Sequence, residues 1–304
     1  MNQTVKIIHR PKKKARLLLM AAPLLLMVLL FSYMPLFGWV YALFDYKAGI
    51  PLFSNTFVGF KYFKLFLTDR IDMLRVMKNT IIFAFISCAI SPLPMIFSIL
   101  LSEIKSLRYK KIVQTFTTIP NFISWVIVFS LGFMLFSSDG LLASVYTLFG
   151  RTPPPSILGN VRAVYWFQTA LNQWKTLGWS AIIYLAAIAG IDQELYEAAA
   201  IDGANRFRNI LHITMPCLLP TYFVLLLLAI GNFVNVGFEQ YFVFNNKVVA
   251  ESIEVLDVYV YRVGLYGQDY SYGVAIGIMK TVVSVMLLFT ANAIAKKTRG
   301  NSLI

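Results

Sequence analysis

Polar side chains recur at helical spacing inside apolar stretches of the chain, and burying each of them in hydrocarbon costs free energy. Four lie between 164 and 190, at spacings of four, three and four residues: Gln168, Asn172, Lys175 and Trp179. This spacing puts them on one face of a helix. Amides that hydrogen-bond hydroxyl groups, beside an aromatic ring, suit the passage of a hydroxyl-rich solute such as a sugar. The same groups can instead hydrogen-bond between packed helices.

Further polar candidates for such a passage lie in other apolar stretches: Asn121, Asn232, Asn235, Glu239 and Lys280. Those at 232, 235 and 239 are three and four residues apart, which predicts one shared helix face. Glu239 and Lys280 are either partners in an ion pair or separate groups. In the second case Lys280 or Lys175 attracts an anionic substrate, such as a uronic acid oligomer. The residue spacing leaves both interpretations open.

The apolar stretches that carry these residues predict an all-α integral membrane protein. Hydrophobic residues make up 58% of the chain and charged residues 13%, about half the charged share of a soluble domain. Six spans are predicted at about 17–43, 81–101, 113–136, 164–190, 217–244 and 272–295. Prolines should kink the second span, and Pro120 interrupts the third. The chain thus divides into a basic N-terminus (1–16), a six-span domain (17–295) and a tail (296–304).

The distribution of charge predicts how the spans are oriented. The net charge is +13, and many of the cations flank the ends of apolar spans. That arrangement is typical of membrane orientation by basic loops and makes nucleic-acid binding an unsuitable interpretation. Both termini are basic, and six spans return the chain to its starting side, so we predict that both termini are cytoplasmic.

No catalytic constellation accompanies these features in the sequence. There is no glycine-rich loop that would cradle nucleotide phosphates, and only two histidines, His9 and His212, are available for a metal or a triad. The two cysteines lie in or beside apolar runs, where small buried side chains are typical. We therefore predict that the chain is not an enzyme, and that any ATP hydrolysis takes place on another subunit.

A charged interruption between the fourth and fifth spans organises the rest of the chain. Residues 191–220 contain four acidic side chains and two arginines, which cannot lie in lipid and must meet water or a partner. Helical spacing on both sides of Gly203 predicts two short helices joined at that glycine. We call residues 191–216 the elbow.

The elbow also resembles a known motif. Glu197-Ala198-Ala199, three residues, Gly203, nine residues, Ile213, one residue and Met215-Pro216 resemble the EAA coupling loop of ABC importer permeases. The family pattern usually ends Ile-x-Leu-Pro, so Met215 is a mild departure. The stretches FVGFKYFKLF at 57–66, NFVNVGFEQYFVF at 232–244 and VLDVYVYRVGL at 255–265 resemble the oligosaccharide subgroup, some of whose members handle acidic plant polysaccharide fragments.

This resemblance implies the type I importer fold and a set of partners in the bacterial cell membrane. The partners would be a second, non-identical permease, two ATPase subunits that hold ATP and Mg²⁺, and an external or periplasmic binding protein. The implied substrate is an oligosaccharide, and this chain itself would need no cofactor. The ATPase-coupling residues would be Glu197, Ala198, Ala199, Asp202 and Gly203.

Two other classes compete with this interpretation. A secondary sugar transporter normally needs more spans, often with inverted repeats, and no internal repeat is evident in the sequence. A membrane-embedded enzyme is the third interpretation, and it lacks a catalytic constellation. The sequence alone does not identify the sugar.

Overall fold

The computed structural model describes residues 11–68 and 70–299, and its regular elements there are helical apart from one β-bridge between Phe44 and Phe57. The α-helices are α1 (Pro11–Val28), α2 (Lys61–Thr68), α3 (Arg70–Ala89), α4 (Leu93–Ser102), α5 (Leu107–Thr118), α6 (Trp125–Phe136), α7 (Leu141–Leu148), α8 (Val164–Ala189), α9 (Gln193–Ile201), α10 (Arg206–Asn209), α11 (Met215–Gly231), α12 (Glu239–Val243), α13 (Ala250–Ile253), α14 (Leu256–Val260) and α15 (Tyr270–Arg299). Parts of the predicted N-terminus (1–10) and tail (300–304) lie outside the described residues.

Several helices are long and apolar enough to cross a membrane. Within residues 11–68 and 70–299, length and composition give five such spans, or six if the bent pair α8–α9 is taken as one. The five are Leu17–Leu43, Ile71–Ser102, Trp125–Leu148, Arg206–Gly231 and Tyr270–Lys297. Each has at least the roughly 20 residues that a bilayer core requires. The predicted all-α, membrane-spanning architecture is confirmed.

Prolines break two of the predicted spans where the sequence indicated. Helix α3 ends at Ala89, and α4 begins directly after Pro92. Pro120 lies in a 3₁₀ turn, Ile119–Phe122, that separates α5 from α6. Proline has no backbone N–H to donate and crowds the preceding turn, so a helix cannot continue through it unchanged.

The boundaries of three spans differ from the prediction, and the second span begins at Ile71 and not at residue 81. The span predicted at 113–136 is divided, because α5 starts at Leu107 and Ser124 caps a new helix by accepting a hydrogen bond from the Ile127 N–H at 3.4 Å. The helix predicted at 217–244 ends instead at Gly231. A turn with Gly237 at φ +106° follows it, and α12 begins at Glu239.

The prediction that Asn232, Asn235 and Glu239 share one helix face is therefore wrong. Asn232 caps the end of α11, and its side chain donates back to the Leu228 carbonyl at 3.1 Å. Asn235 lies in the irregular segment, and Glu239 opens a separate helix. Three- and four-residue spacing indicates a common face only where the helix is continuous.

The chain divides into two compact units. The first contains residues up to Phe66 together with Val263–Ile278. Within it, the Tyr62 hydroxyl donates to Asp45 at 2.8 Å, and the Tyr46 N–H donates to the Ser271 hydroxyl at 3.0 Å. Burial, followed by that bond to the Asp45 carboxylate, raises the pKa of Tyr62 well above its usual value.

The second unit contains Leu67–Arg262 and Met279 onward, and α8 runs through it in contact with α3, α4, α5 and α11. One buried cluster forms around Phe83, Tyr241 and Phe244. Another forms around Met95, Tyr184 and Leu218. Helices α5 and α8 lie close together at Gly178, where an added Cβ would lie 2.3 Å from the Thr117 carbonyl oxygen.

Candidate functional site

The elbow has the form that the sequence predicted. Helix α9 leaves the axis of α8 at 68°. Asp192 caps its start by accepting a hydrogen bond from the Glu194 N–H at 3.0 Å. Gly203 follows its end with φ +75°, a left-handed conformation that residues with a Cβ adopt only at a cost. Helix α10 then begins, so the predicted joint at Gly203 is confirmed, but the second helix is not a separate short one, because it is the start of the span Arg206–Gly231.

The outer surface of the elbow combines exposed apolar and acidic side chains. Ile201 is 88% exposed, Phe207 is also exposed, and Glu197 and Asp202 lie on the same segment. The elbow's base is held at Tyr196, whose hydroxyl hydrogen-bonds the Thr214 hydroxyl at 2.9 Å. A projecting segment with a fixed base and large apolar groups in the open is the kind of surface that marks a protein contact.

The predicted polar face of α8 exists, but the protein itself occupies most of its polar groups. The Gln240 amide donates to the Gln168 carbonyl and side-chain oxygens at 2.7 and 2.8 Å. Asn172 donates to the Gln240 side-chain oxygen at 3.1 Å. These groups therefore connect α8 to α12. The sequence interpretation singled out Glu239 and missed Gln240, its buried neighbour, because it assumed that α11 continued through this segment.

Lys175 lies at the proline break between α5 and α6 and is only 8% exposed. Its ammonium group donates to the backbone carbonyls of Pro120, Asn121 and Ile123 at 3.2, 2.8 and 2.6 Å. The Trp125 ring centroid lies 5.5 Å from the same nitrogen. Because these carbonyls take all three of its donors, Lys175 is not presented to a solute in this conformation. Asn121, the candidate in the third span, enters the site through its backbone.

Trp179, one turn further along the face, is half exposed and packs edge-on against Phe122 with ring centroids 5.7 Å apart. Glu239 is exposed, and its charge lies within electrostatic range of Lys175. The structure thus gathers Gln168, Asn172, Lys175 and Trp179 along α8, as predicted, and brings Glu239 towards them. The part that any of them plays in transport stays a prediction.

A second polar surface forms around α15. Lys280 makes an ion pair with Asp257, so of the two interpretations left open by the sequence, the ion pair of Lys280 with Glu239 is not the one formed here. One helical turn away, the Ser284 hydroxyl accepts a hydrogen bond from the Asn235 amide at 3.2 Å. Asp257 opens α14, a helix that sequence reasoning treated as part of an external loop. Its i, i+4 spacing to Tyr261 was the available signal for a shared helix face.

An aromatic cluster lies beside this second surface. The Tyr261 ring is 5.2 Å from Phe238 and 5.0 Å from Phe242, and those two phenylalanines stack at 4.9 Å. Tyr261 follows Asp257 by one helical turn, so the cluster adjoins the ion pair. Lys280, Asp257, Asn235, Ser284 and Tyr261 are hereafter the α15 surface. It offers a charge, an amide, hydroxyls and an aromatic face together.

The segment that carries Asp257 is firmly anchored. Glu254 has a side chain only 7% exposed and is paired with Arg75 at 3.1 Å and Arg262 at 2.6 Å. The hydrogen bond to the Glu254 carboxylate raises the pKa of the Arg262 guanidinium, which favours its charged form. The Thr80 hydroxyl accepts the Leu256 N–H at 2.9 Å and fixes the start of α14.

A cavity of about 940 Å³ opens between α6, α7 and the segments at 156–159 and 245–246. Phe133, Asp139 and Asn245 are among its lining residues. None of the predicted pathway residues lines it. The candidate site therefore comprises the elbow and the two polar surfaces, where side-chain contacts converge, and does not include this cavity.

Comparison with known proteins identifies the family. The model of the binding-protein-dependent transport system inner membrane component matches residues 92–300. Protein LplB of Bacillus subtilis is 39% identical over 94% of this chain and 90% of its own length. The polygalacturonan/rhamnogalacturonan transport system permease protein YteP of the same organism is 38% identical over 96% and 94%.

A solved structure agrees with these relatives. A bacterial alginate ABC transporter, crystallised with an alginate pentasaccharide-bound periplasmic protein, contains a chain that superposes with a TM-score of 0.84. That chain is 32% identical, and the match covers 96% of this chain and 97% of the other. The protein is thus a multi-pass protein of the bacterial membrane. It belongs to the family of binding-protein-dependent transport system inner membrane components, the permease subunits of ABC importers.

Proposed function

We propose that this chain is one of two non-identical permeases in an ATP-driven importer of oligosaccharides, including acidic ones, delivered by an external binding protein. The observation that carries the coupling half of this proposal is the elbow, a bent segment with its apolar and acidic side chains in the open. The substrate half is supported by the polygalacturonan/rhamnogalacturonan permease and the alginate importer. The family match favours this function over a secondary sugar transporter.

The elbow would dock on an ATPase subunit that holds the ATP and Mg²⁺. Glu197 and Asp202 would make polar contacts with it, while Ala198 and Ala199 would allow a close approach. Gly203 would permit the turn that presents both helices, since its φ of +75° suits glycine. In this proposal both termini would be cytoplasmic, on the same side as the elbow, and the opposite end of α8 would face outside.

Transport would follow from movement of the docked elbow. Closure of the ATPase pair on ATP would displace the two elbows and rock the two permeases, so that the pathway opens to the binding protein. Hydrolysis would return the pathway to the inward state. The ATPase can drive this change only if its contact with the elbow differs in free energy between the two states. Tyr196–Thr214, which ties α9 to the base of α11, would pass the movement into the spans.

Mutation of Gly203 tests the docking directly. In the full transporter solubilised in detergent, a tagged wild-type chain should co-purify with the ATPase and the second permease. Gly203→Asp should lose the ATPase, and with it transport, while the chain stays in the membrane. Glu197→Lys should also abolish transport, because it reverses a charge at the same contact.

Gly150 provides the matched control. It also has a left-handed φ, +67°, with nothing within 4 Å of an added Cβ, as at Gly203. Gly150→Asp therefore introduces the same side chain and the same backbone strain in a loop away from the elbow. It should keep the ATPase. If Gly203→Asp and Gly150→Asp retained the ATPase equally, the coupling assignment would be wrong.

A further inference from the structure

The ion pair between Lys280 and Asp257 is isolated, whereas the other ion pairs of the described residues form one network around Arg75, Arg262 and Glu254. Its side chains remain 14% and 21% exposed, so the pair borders open space. Glu254, in contrast, is 7% exposed and paired with two arginines. Within residues 11–68 and 70–299, Asp257 is the one carboxylate in ion-pair contact with Lys280. Lys280 and Asp257 therefore form an isolated ion pair that is partly accessible.

The surroundings of the pair are suited to a sugar. The Asn235 amide and the Ser284 hydroxyl lie one turn from Lys280. Tyr261, one turn from Asp257, joins the ring cluster with Phe238 and Phe242. An aromatic face packs against the C–H face of a pyranose, while the amide and hydroxyl exchange hydrogen bonds with its hydroxyls. A uronate adds a carboxylate, for which Lys280 is the matching cation of the α15 surface.

We propose that Lys280 binds the carboxylate of an acidic sugar, and that Asp257 is a resident counter-ion which the sugar displaces. This rests on the proposed import of oligosaccharides and specifies how the α15 surface distinguishes charged from neutral ones. The ammonium group keeps an anionic partner throughout. When no sugar is bound, Lys280 is therefore not an unpaired cation in a partly buried position, which would be energetically unfavourable.

The displaced Asp257 would have a suitable place to go. It is partly exposed, so water can hydrate the carboxylate when it leaves Lys280. The Thr80 hydroxyl and the Glu254–arginine contacts hold the start of α14. Asp257 can therefore exchange by side-chain rotation and return to Lys280 when the sugar leaves. Lys175 offers no such exchange, because its acceptors are backbone carbonyls.

The test measures binding of a galacturonate trisaccharide and its methyl ester to the purified transporter complex by equilibrium dialysis, without the binding protein. The two probes share the same sugar backbone, and the ester carries a methyl group in place of each negative charge. Lys280→Met should weaken binding of the acid about tenfold, as expected for one charge-assisted contact, and leave the ester within about twofold. Asp257→Asn should tighten binding of the acid several-fold, because the competing carboxylate is gone.

The double variant Lys280→Met/Asp257→Asn separates exchange from a structural pair. Exchange predicts that it binds the acid as weakly as Lys280→Met and the ester normally. A structural pair predicts that the single variants weaken both probes equally and that the double variant restores both. Lys280→Arg, which keeps the charge, should retain the acid. Co-purification of the ATPase with each variant shows that the complex has assembled.

Failure of this inference is distinguishable from failure of the proposed function. If the wild-type complex binds the acid but Lys280→Met weakens both probes alike, the exchange is wrong and acidic transport stands. If the wild-type complex binds only the ester, the acidic substrate class is wrong as well. Binding of neither probe contradicts a sugar site on the α15 surface.

Discussion

Lys175→Met is the most informative single change in the membrane domain. Lys175 donates three hydrogen bonds to backbone carbonyls around Pro120, where the helix is interrupted. Methionine has a similar length and keeps the packing against Trp125, but it cannot donate. The change therefore isolates the hydrogen bonds from the shape of the side chain.

The magnitude follows from the contacts. A hydrogen bond to a charged group contributes about 1.5 to 3 kcal/mol, so three in isolation would sum to more than 4 kcal/mol. The variant also removes the cost of keeping an ammonium group in a site where the side chain is only 8% exposed, which offsets part of that loss. We expect a net destabilisation of about 3 kcal/mol, or roughly 6 °C in apparent Tm at about 2 °C per kcal/mol.

The assay is thermal unfolding of the detergent-purified complex. Lys111→Met on α5 is the control, because Lys111 is exposed and lies on the same interrupted span. It should change the apparent Tm by no more than about 1 °C, as surface substitutions do. Equal, small changes for Lys175→Met and Lys111→Met would refute the interpretation that Lys175 holds the proline break together.

Two further predictions concern packing and charge in the second unit. Gly178→Ala should lower the apparent Tm of the complex, because the added Cβ would lie 2.3 Å from the Thr117 carbonyl oxygen. Gly277→Ala is the control and should not lower it, because nothing lies within 4 Å of the added Cβ. Equal effects of the two variants would contradict the close contact of α5 and α8. Glu254→Gln should destabilise by about 3 kcal/mol, because Arg75 and Arg262 lose a buried carboxylate. Glu251→Gln is the control, because the Glu251 side chain is 84% exposed and lies 3.9 Å from Arg75. A similar loss of stability in both variants would refute the buried network.

Features of the fold that depend on local chemistry were predictable from the sequence. The apolar runs set the spans, the prolines set the breaks, and Gly203 with its flanking helical spacing set the elbow. Each depends on hydrophobicity or on a residue whose backbone preference is strong. The face of α8 was also predictable, because that helix runs without interruption from Val164 to Ala189.

The contacts between distant segments were not predictable in this way. Lys280 pairs with Asp257, 23 residues away, and not with Glu239, because α11 ends at Gly231 and the chain then turns. No proline marks that end, and an apolar run continues beyond it. The role of Gln240 and the carbonyl contacts of Lys175 depend on how α8, α12 and the proline break meet in space. Residue spacing along one helix does not show which distant segments pack against that helix.

The central claim, that the elbow docks on an ATPase, is tested most directly by site-specific photocrosslinking in the assembled transporter. A photoreactive phenylalanine would replace Ile201, which is 88% exposed on the elbow, or Phe149, which is exposed in the segment between α7 and α8. Docking predicts a covalent adduct with the ATPase from position 201 and none from position 149. An assembled, active transporter that gave no ATPase adduct from position 201, or equal adducts from both positions, would contradict the account.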